Sequence, residues 1–375
     1  MFEWENLTLA DVLQDKGYIR GPFGSALKRG DMKDKGIPVY EQQHAIYNSR
    51  IFRFYIDSDK FEEMKRFEVQ NNDLIISCSG TVGKVSIIRE NDPKGIISQA
   101  LLLLRVDDSK ISPLYLKYFF SSSEGYNAII SRSSGSVQVN IAKRSVIEQI
   151  PIKLPPLRIQ ERIVSILKNI DDKIEENEKI NNNLEQQAQA IYTSLFTEKP
   201  NPKWEIGQLS DLIEFKYGKD HKKLADGIYP VYGSGGIMRY VERPLFSGES
   251  VLIPRKGTLN NVMYVNGAFW SVDTMFYTEM LRSNVAKFVY HFVKNKDLAS
   301  LNAGSAVPSM TTNILNAMQL RIPDDETLRK FEDIVSPMYE VIQENEKQSS
   351  NLALVRDTLL PKLMSGELDV SNIDL

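Results

Sequence analysis

The sequence contains few of the residues from which disulfides and metal sites are built. Its 375 residues include one cysteine, Cys78, and three histidines that stand far apart along the chain. A single cysteine excludes an internal disulfide framework and is typical of a reducing compartment, so we expect a cytoplasmic protein. A structural zinc site needs closely spaced Cys and His ligands, and that pattern is missing. The sequence therefore predicts no metal site in this chain.

Long apolar stretches and a targeting segment are also missing. The most apolar stretch, GIISQALLLLRV (95–106), is too short to cross a bilayer and is typical of a buried strand. The first residues, MFEWENLTLADV, have neither the basic nor the apolar region of a secretory signal. We expect no association with a membrane.

Catalytic motifs are absent as well. GTVGKVS (80–86) lacks the spacing of a P-loop, and GSGGI (233–237) lacks the dinucleotide fingerprint. PDDETLRK (323–330) resembles a nuclease metal site only superficially, because it stands where acidic residues cap a predicted helix. The Asn/Asp-Pro-Pro-aromatic motif of adenine methylases does not occur. Because no coherent set of nucleophile, base and electrophile is found, the sequence predicts a binding protein and disfavours a self-contained methyltransferase or nuclease.

The chain carries an internal duplication. Residues 151–196 align without a gap with residues 319–364, and WENLTLAD (4–11) matches WEIGQLSD (204–211). At 375 residues the chain also exceeds one ordinary domain. The order of parts is therefore a globular unit, a helix, a second globular unit and a second helix.

The two aligned segments have the heptad periodicity of a coiled coil. Each predicted helix has roughly 40 residues and a length of about 60 Å. We expect antiparallel packing, because a globular unit lies between the end of one helix and the start of the other; the alternative is that each helix docks separately on its neighbouring domain. Asn345 falls where Asn177 falls in the first helix, and such buried polar layers can fix register. The predicted core positions are Ile163, Leu167, Ile170, Ile174, Asn177, Asn181, Leu184, Ile191, Leu195, Phe331, Val335, Met338, Ile342, Asn345, Leu352, Leu359 and Leu363.

These patterns predict an α+β fold. Two similar β-rich domains, at 1–153 and 200–322, are separated by a central helix at 154–199 and a C-terminal helix and tail at 323–375. The two long helices form an antiparallel coiled coil with approximate two-fold symmetry. Two prolines in the second helix, Pro337 and Pro361, predict a kink or a weakened turn.

Polar, basic loops occur at corresponding places in the two globular units. Lys and Arg outnumber Asp and Glu by 20 to 19 in residues 1–150 and by 13 to 10 in residues 201–320. Small residues let a backbone approach a phosphate, cations neutralise it, and Gln, Asn, Ser and Thr can bond base edges. The alternative for any one of these loops is an ordinary polar turn. The loops therefore favour nucleic-acid binding without proving it.

The chain resembles the specificity subunit of type I restriction–modification enzymes. Residues 150–185 (IPIKLPPLRIQERIVSILKNIDDKIEENEKINNNLE) resemble that family's central spacer, and LLPKLMSGELDV (359–370) resembles its C-terminal one. WEIGQLSDLIE (204–214) and GSVQVNIAKRSVIEQIPI (135–152) are similar to the boundaries of its target recognition domains. The resemblance implies a non-catalytic subunit that reads two halves of a split DNA target across an unread gap of fixed length.

The resemblance also implies the partners and the DNA contacts. The partners are double-stranded DNA, two methyltransferase (modification) subunits and restriction/translocase subunits; S-adenosylmethionine, ATP and Mg would belong to those subunits, and this chain would hold no cofactor. Candidates for phosphate or guanine contact are Lys28, Arg29, Lys84, Arg132, Lys143, Lys219, Lys222, Arg255 and Lys256. Candidates for positioning or base readout are Gln42, Gln43, Ser79, Thr81, Gln138, Asn140, Thr258, Asn260 and Thr311. Candidates for subunit docking on the outer helix faces are Glu175, Glu176, Glu178, Lys179, Glu344, Glu346 and Lys347.

A second function remains open from the sequence. A duplicated protein could use its helices as a scaffold that bridges two partner proteins without any DNA readout. Phosphate contacts would impose a steep salt dependence on DNA binding, whereas a scaffold would show no DNA affinity.

Overall fold

A computed structural model gives the fold of the chain as two compact units. Unit 1 comprises Met1–Glu176 and Gln348–Leu375, and unit 2 comprises Asn177–Lys347. Each unit therefore holds one β-rich domain together with a part of each long helix. The structure describes residues 4–23, 26–133, 139–301 and 309–371.

Unit 1 is built around the apolar strands that the sequence predicts. Its strands are β1 (Glu5–Thr8), β2 (Leu13–Arg20), β3 (Ile37–Tyr40), β4 (Tyr55–Ile56), β5 (Leu74–Ser77), β6 (Val85–Ile87), β7 (Ile96–Ile97), β8 (Leu101–Val106) and β9 (Pro151–Leu154). Its short helices are α1 (Gln42–Ile46), α2 (Ser58–Glu63), α3 (Pro113–Ser121), α4 (Ser123–Ile130) and α5 (Arg144–Ile147). The strands form sheets in the orders β2-β8-β5-β6, β4-β3-β7 and β1-β9. The most apolar stretch forms β7 and β8, and β8 is buried along almost its whole length because both faces of its sheet are covered.

Unit 2 has a larger sheet. Its strands are β10 (Glu205–Gln208), β11 (Ile213–Tyr217), β12 (Asp226–Gly233), β13 (Gly236–Val241), β14 (Phe246–Pro254), β15 (Met263–Ser271), β16 (Met275–Met280) and β17 (Gln319–Ile322). Its short helices are α7 (Ala286–Lys294) and α8 (Thr312–Asn316). Six strands pair in the order β11-β16-β14-β15-β12-β13, and β10 pairs with β17.

The duplication read from the sequence is confirmed by the pairing of the strands. β11-β16-β14-β15 repeats the order β2-β8-β5-β6, and β10-β17 repeats the antiparallel pair β1-β9. The amide of Leu9 donates to the carbonyl of Ile150 at 2.9 Å, and the amide of Leu209 donates to that of Met318 at the same distance. Both units also contain a parallel pair, β3 with β7 and β12 with β15. The two β-rich domains therefore share one topology.

The long helices are α6 (Leu157–Tyr192) and α9 (Asp325–Ser365). In unit 1, Arg356 on α9 donates to Asp171 on α6 at 3.0 Å, and Leu363 near the end of α9 packs into the same core as Ile163 near the start of α6. The helices therefore run antiparallel. The helix assignment of α9 continues through Pro337 and Pro361.

The helices are also antiparallel in unit 2, where they pair through a polar layer. Asn345 on α9 donates its amide to the side-chain oxygen of Asn181 on α6 at 2.8 Å, and Asn177 reaches the carbonyl of Asn345 at 3.4 Å. In both units, every residue predicted for the core of the coiled coil is buried or half-buried. After Tyr192 the chain widens into a π-helical turn, Thr193–Glu198.

Each half of the helix pair also packs on its own domain. In unit 1 the core includes Leu360, Leu363 and Met364 of α9, all nearly inaccessible to solvent. In unit 2 the ring of Tyr192 on α6 lies 5.7 Å from that of Phe288 on α7. The helices therefore pair with each other and dock on a domain at the same time.

Candidate nucleic-acid interface

In unit 1, three polar segments that are distant in sequence meet beyond the end of β5. The amide of Cys78 donates to the carbonyl of Ala100 at 3.0 Å, and the amide of Ile141 donates to the carbonyl of Cys78 at 2.9 Å. The amide of Gly80 donates to the carbonyl of Val139 at 2.9 Å. We call the cluster formed by residues 78–81, 98–101 and 139–141 junction 1.

Three of the candidate reading residues, Ser79, Thr81 and Asn140, lie in junction 1, and a fourth, Gln42, bonds to it. Ser79 donates its hydroxyl to the side-chain oxygen of Asn140 at 2.8 Å. The side-chain oxygen of Gln42, at the start of α1, accepts from the amides of Cys78 at 3.2 Å and Ser79 at 3.0 Å. Gln42 thereby fixes the backbone of the loop that carries Ser79. The structure brings these residues together and gives Gln42 a positioning role.

Unit 2 repeats this arrangement. The amide of Arg255 donates to the carbonyl of Thr274 at 2.8 Å, and the amide of Met310 donates to the carbonyl of Arg255 at 2.9 Å. Lys256 forms an isolated antiparallel bridge with Ser309, as Ser79 does with Asn140. We call residues 255–258, 272–275 and 309–311 junction 2.

The central loop of each junction has the same conformation. Gly80 has φ +67° and Gly257 has φ +86°, in the left-handed region that glycine adopts without a steric cost. The second residue after each glycine is buried: Val82 and Leu259 are both 2% exposed. SGTV (79–82) is thus the counterpart of KGTL (256–259). The intervening threonines, Thr81 and Thr258, are equivalent and exposed.

The candidate cations of unit 1 are distributed around these loops. Lys84 is exposed, and its ammonium lies 4.8 Å from the ring centroid of Tyr126. Lys143 is exposed at the N-terminus of α5. Arg132 is half-buried and donates to the carbonyl of Ala128 at 2.9 Å, which engages one end of its guanidinium. Lys84 and Lys143 are therefore the more accessible cations.

In unit 2, the exposed side chains of Lys219 and Lys222 follow β11. The backbone of Lys219 is fixed from both sides, because its amide donates to the carbonyl of Ser271 at 2.8 Å and its carbonyl accepts from the indole of Trp270 at 2.8 Å. Lys256 is exposed in the central loop of junction 2. Lys256 is thus a predicted cation that lies on the central loop of junction 2.

The side chains of several other candidates form hydrogen bonds within the protein. Asn260 donates to Asp297 at 3.1 Å and accepts from the amide of Ala299 at 2.9 Å. Thr311 accepts from the amide of Ile314 and caps α8, while Gln43 donates to the carbonyl of Ile51 at 3.3 Å. These side chains hold loops in shape. Their proposed contacts with bases remain predictions.

Three candidates lie elsewhere or outside the described residues. Lys28 and Arg29 are exposed at a short 3₁₀ turn, Arg29–Asp31, where the amide of Lys28 donates to Asp31 at 2.7 Å. Neither residue belongs to the segments that form junction 1. Gln138 lies outside the described residues.

The sequence reasoning missed the strand end at each junction. Gly21 donates its amide to Leu101 at 2.9 Å, and Gly218 donates its amide to Met275 at 3.1 Å. A Cβ atom on either glycine would lie 2.0 Å from a backbone oxygen, that of Ser98 or Val272, so only glycine fits at these close approaches. The recurrence of glycine after the first long strand of each domain was the signal that could have found them.

Arg20, which precedes Gly21, lies beside Cys78 of junction 1. It is not among the candidates predicted from the sequence. Burial raises the pKa of the Cys78 thiol to about 12, although the nearby guanidinium of Arg20 opposes that rise. A buried thiol with so high a pKa stays protonated and unreactive at neutral pH. The Cys78 thiol is therefore not a candidate functional group. The Arg20 guanidinium beside it is one.

The candidate docking residues on the outer helix faces differ in availability. Glu175 is half-buried and accepts two hydrogen bonds from Arg89, at 2.8 and 2.9 Å, so it ties α6 to the domain of unit 1. Glu176 forms an exposed ion pair with Lys173 at 2.9 Å. The remaining candidates are exposed: Glu178, Lys179, Glu344, Glu346 and Lys347.

Within the described part of the chain, no group of three or more His, Cys, Asp or Glu side chains is arranged to hold a metal ion. A search of the same residues finds no helix with the length and apolarity that a transmembrane span requires.

Comparisons with known proteins find relatives both in sequence and in fold. A family model described as "Type I restriction modification DNA specificity domain" matches residues 1–186 and 201–353. The putative type I restriction enzyme MjaX specificity subunit of Methanocaldococcus jannaschii is 23% identical, with 98% of this chain and 94% of that protein covered. The type I restriction enzyme HindI specificity subunit of Haemophilus influenzae is 29% identical, with 73% of this chain and 81% of that protein covered. A crystal structure of a type I restriction–modification S subunit from M. genitalium has the same fold, with a TM-score of 0.61, 19% identity and 96% of each chain covered.

Proposed function

This chain belongs to the type I restriction–modification DNA specificity family, and from that membership we propose that it recognises a double-stranded DNA target in two parts. Each β-rich domain reads one half of the target, and the two long helices set the length of an unread gap. The chain performs no chemistry itself. It delivers modification and restriction subunits to the site.

The observation that carries this proposal is the repetition of one junction in both domains. A protein that reads two half-sites needs two similar surfaces, and junctions 1 and 2 supply a glycine-containing loop of the same conformation with exposed cations. Lys84 and Lys143 of unit 1 and Lys219 and Lys256 of unit 2 are exposed, and in this proposal they neutralise phosphates. Phosphate contacts provide affinity and orientation, while hydroxyl and amide groups such as Thr81 contact base edges.

The helices carry the proposed recruitment of partners and the proposed fixed spacing. The exposed charged faces around Glu178, Lys179, Glu344 and Lys347 suit docking of two modification subunits. These subunits would bring S-adenosylmethionine, and the restriction subunits would bring ATP and Mg. The hydrogen bonds of the Asn layer fix the register of α6 against α9, as single buried Asn residues do in coiled coils.

The decisive experiment is methylome sequencing of a host with and without this gene. We expect a split adenine-methylated motif with a constant gap that disappears when the gene is deleted. A methylome that does not change would contradict the proposal, and a complex with its partners that shows no DNA affinity at any salt concentration would favour the scaffold function instead.

A matched set of variants tests the junctions. Each phosphate contact contributes about 0.9 to the slope of log K against log salt concentration. Lys84→Gln and Lys256→Gln should each lower this slope by roughly that amount and weaken binding to all sequences alike. Lys330→Gln, which removes an exposed cation paired with Glu326 on α9, is the control and should leave the slope unchanged. Slopes equal to that of the wild type in both junction variants would remove these lysines from the interface.

A further inference from the structure

An exposed aromatic ring stands at the same strand end of each domain. Phe23 is 67% exposed and Tyr217 is 53% exposed. An arginine lies over each ring: the guanidinium carbon of Arg20 is 5.8 Å from the centroid of Phe23, and that of Arg255 is 5.5 Å from the centroid of Tyr217. A single exposed ring is ordinary on a protein surface. Here an exposed ring and a guanidinium occur together at the corresponding strand end of both domains.

The two pairs lie at corresponding strand ends, although the four residues are not equivalent position by position. Gly21 and Gly218 make equivalent hydrogen bonds, so Arg20 and Tyr217, which precede them, occupy the same position. Cys78 and Arg255 also occupy the same position, because each donates its amide to the turn before β8 or β16. In unit 1 the cation comes from the strand end and in unit 2 from the central loop. Both junctions therefore present one ring and one guanidinium.

We propose that Phe23 and Tyr217 contact the bases of the two half-sites, and that Arg20 and Arg255 hold the adjacent phosphates. This inference rests on the proposed function and adds to it the residues that enter the DNA. Aromatic and apolar side chains stack on bases or insert at base steps, which unstacks them locally. The guanidinium suits a phosphate because its fork of donors matches two phosphate oxygens.

The hydrogen bonding of the two arginines supports this role. The buried Nη1 of Arg20 has no hydrogen-bond acceptor among the residues that the structure describes. Arg255 donates Nη1 to the carbonyl of Asp273 at 3.2 Å, a single weak bond to a group with five N–H donors. Both cations thus have donors to spare next to an exposed ring. A phosphate could accept from the remaining N–H groups of Arg255, and it could accept from the buried Nη1 of Arg20 once that side chain turns outward.

The test uses the full chain assembled with its modification subunits and a duplex that carries the methylated motif. The fluorescent base 2-aminopurine, placed at successive positions in each half-site, reports unstacking. We expect a fluorescence increase in both half-sites with the wild type, lost in one half-site only with Phe23→Ala and in the other only with Tyr217→Ala. Loss of base stacking should weaken binding roughly 5- to 150-fold.

Further variants separate the ring, the cation and the fold. Tyr217→Phe keeps the ring and should restore the fluorescence signal that Tyr217→Ala loses. Arg20→Gln and Arg255→Gln should lower the salt slope by about 0.9 each. The control is Leu281→Ala, because Leu281 is 56% exposed but follows the opposite end of β16; it should behave as the wild type. Melting temperatures verify that each variant is folded.

The outcomes distinguish this inference from the function on which it rests. If the wild type binds the motif and both alanine variants match it in affinity and in fluorescence, the rings do not enter the DNA and the inference is overturned. If the wild-type complex binds no DNA, the proposed function itself fails. If the alanine variants lose affinity but the signals in both half-sites change together, each ring is not confined to its own half-site, and the inference is also wrong.

Discussion

Lys287 on α7 is the most deeply buried cation of unit 2, and its removal should destabilise that unit strongly. Its ammonium lies 2.9 Å from an oxygen of Glu249 on β14 and 2.5 Å from an oxygen of Glu332 on α9, and its side chain is 5% exposed. The Lys287→Met variant keeps the length of the side chain but removes the charge. The two carboxylates would then face each other without a cation.

The magnitude follows from these distances. Because both oxygens contact one nitrogen, they are at most 5.4 Å apart (2.9 plus 2.5 Å). Two unit charges at that separation repel by about 3 kcal/mol at an effective dielectric constant near 20. We expect a loss of about 3 kcal/mol in the free energy of unfolding, which corresponds to a melting temperature lower by roughly 6–12 °C for a unit of this size.

The predicted change in the free energy of unfolding depends on pH in a characteristic way. Burial alone would raise the pKa of Glu249, but the Tyr264 hydroxyl and the Lys287 ammonium hold it below the usual value. In the wild type the stabilisation by Glu249 is therefore present above the unfolded pKa of about 4.3 and is lost as the pH falls through the lower folded pKa. In Lys287→Met the carboxylate pKa rises above 4.3, so acidification from pH 8 to about 5 should protonate a carboxylate and recover stability.

The assay is urea unfolding followed by circular dichroism at several pH values from 8 to 5. Lys330→Met is the matched control, because it removes a cation from α9 whose partner Glu326 is largely exposed; it should change stability little at any pH. A loss below about 1 kcal/mol for Lys287→Met, or a loss that does not shrink toward pH 5, would refute this electrostatic account.

Two further variants test the helix pair. Asp171 is partly buried, which raises its pKa, yet Lys117, Arg356 and the Tyr118 hydroxyl together hold the pKa below its usual range. Asp171→Asn should therefore cost about 2 kcal/mol at pH 7, as measured by urea unfolding. This difference from the wild type should begin to shrink below about pH 4 and should vanish only as the pH falls through the lowered pKa of Asp171. In unit 2, the double variant Asn181→Leu/Asn345→Leu should melt no earlier than the wild type while the methylated motif loses its constant gap, because the polar layer that fixes register is gone. A single unchanged gap in the methylome of the double variant would contradict that role.

The long helices and the duplicated plan could be predicted from the sequence because their signals are periodic and gapless. The apolar positions of α6 recur at steps of three and four residues, and the same steps recur in α9 with polar residues at matching places. Periodicity depends only on the local backbone, so it survives in the sequence. The central helix predicted to residue 199 is α-helical to Tyr192 and continues as a π-helical turn, Thr193–Glu198.

The junctions could be predicted only in part. The sequence shows that SGTV and KGTL are polar loops. Their equivalence, however, depends on strand pairing, and Ser79 lies 61 residues from its partner Asn140. No short-range pattern encodes such a pairing. The sequence also does not show that the side chains of Gln42 and Asn260 form hydrogen bonds within the protein. From the sequence alone, any polar residue in a loop looks available for a ligand.

The division of α6 and α9 between the two units has a consequence for biosynthesis. Unit 2 is one continuous stretch of chain, whereas unit 1 needs Leu360, Leu363 and Met364 of α9 to complete its core. On the ribosome, the second unit therefore has all its parts before the first one does. The nascent first domain must wait, with apolar surface uncovered, for residues that are translated after the whole of unit 2, so a premature stop codon within the second half of α9 would damage the first domain.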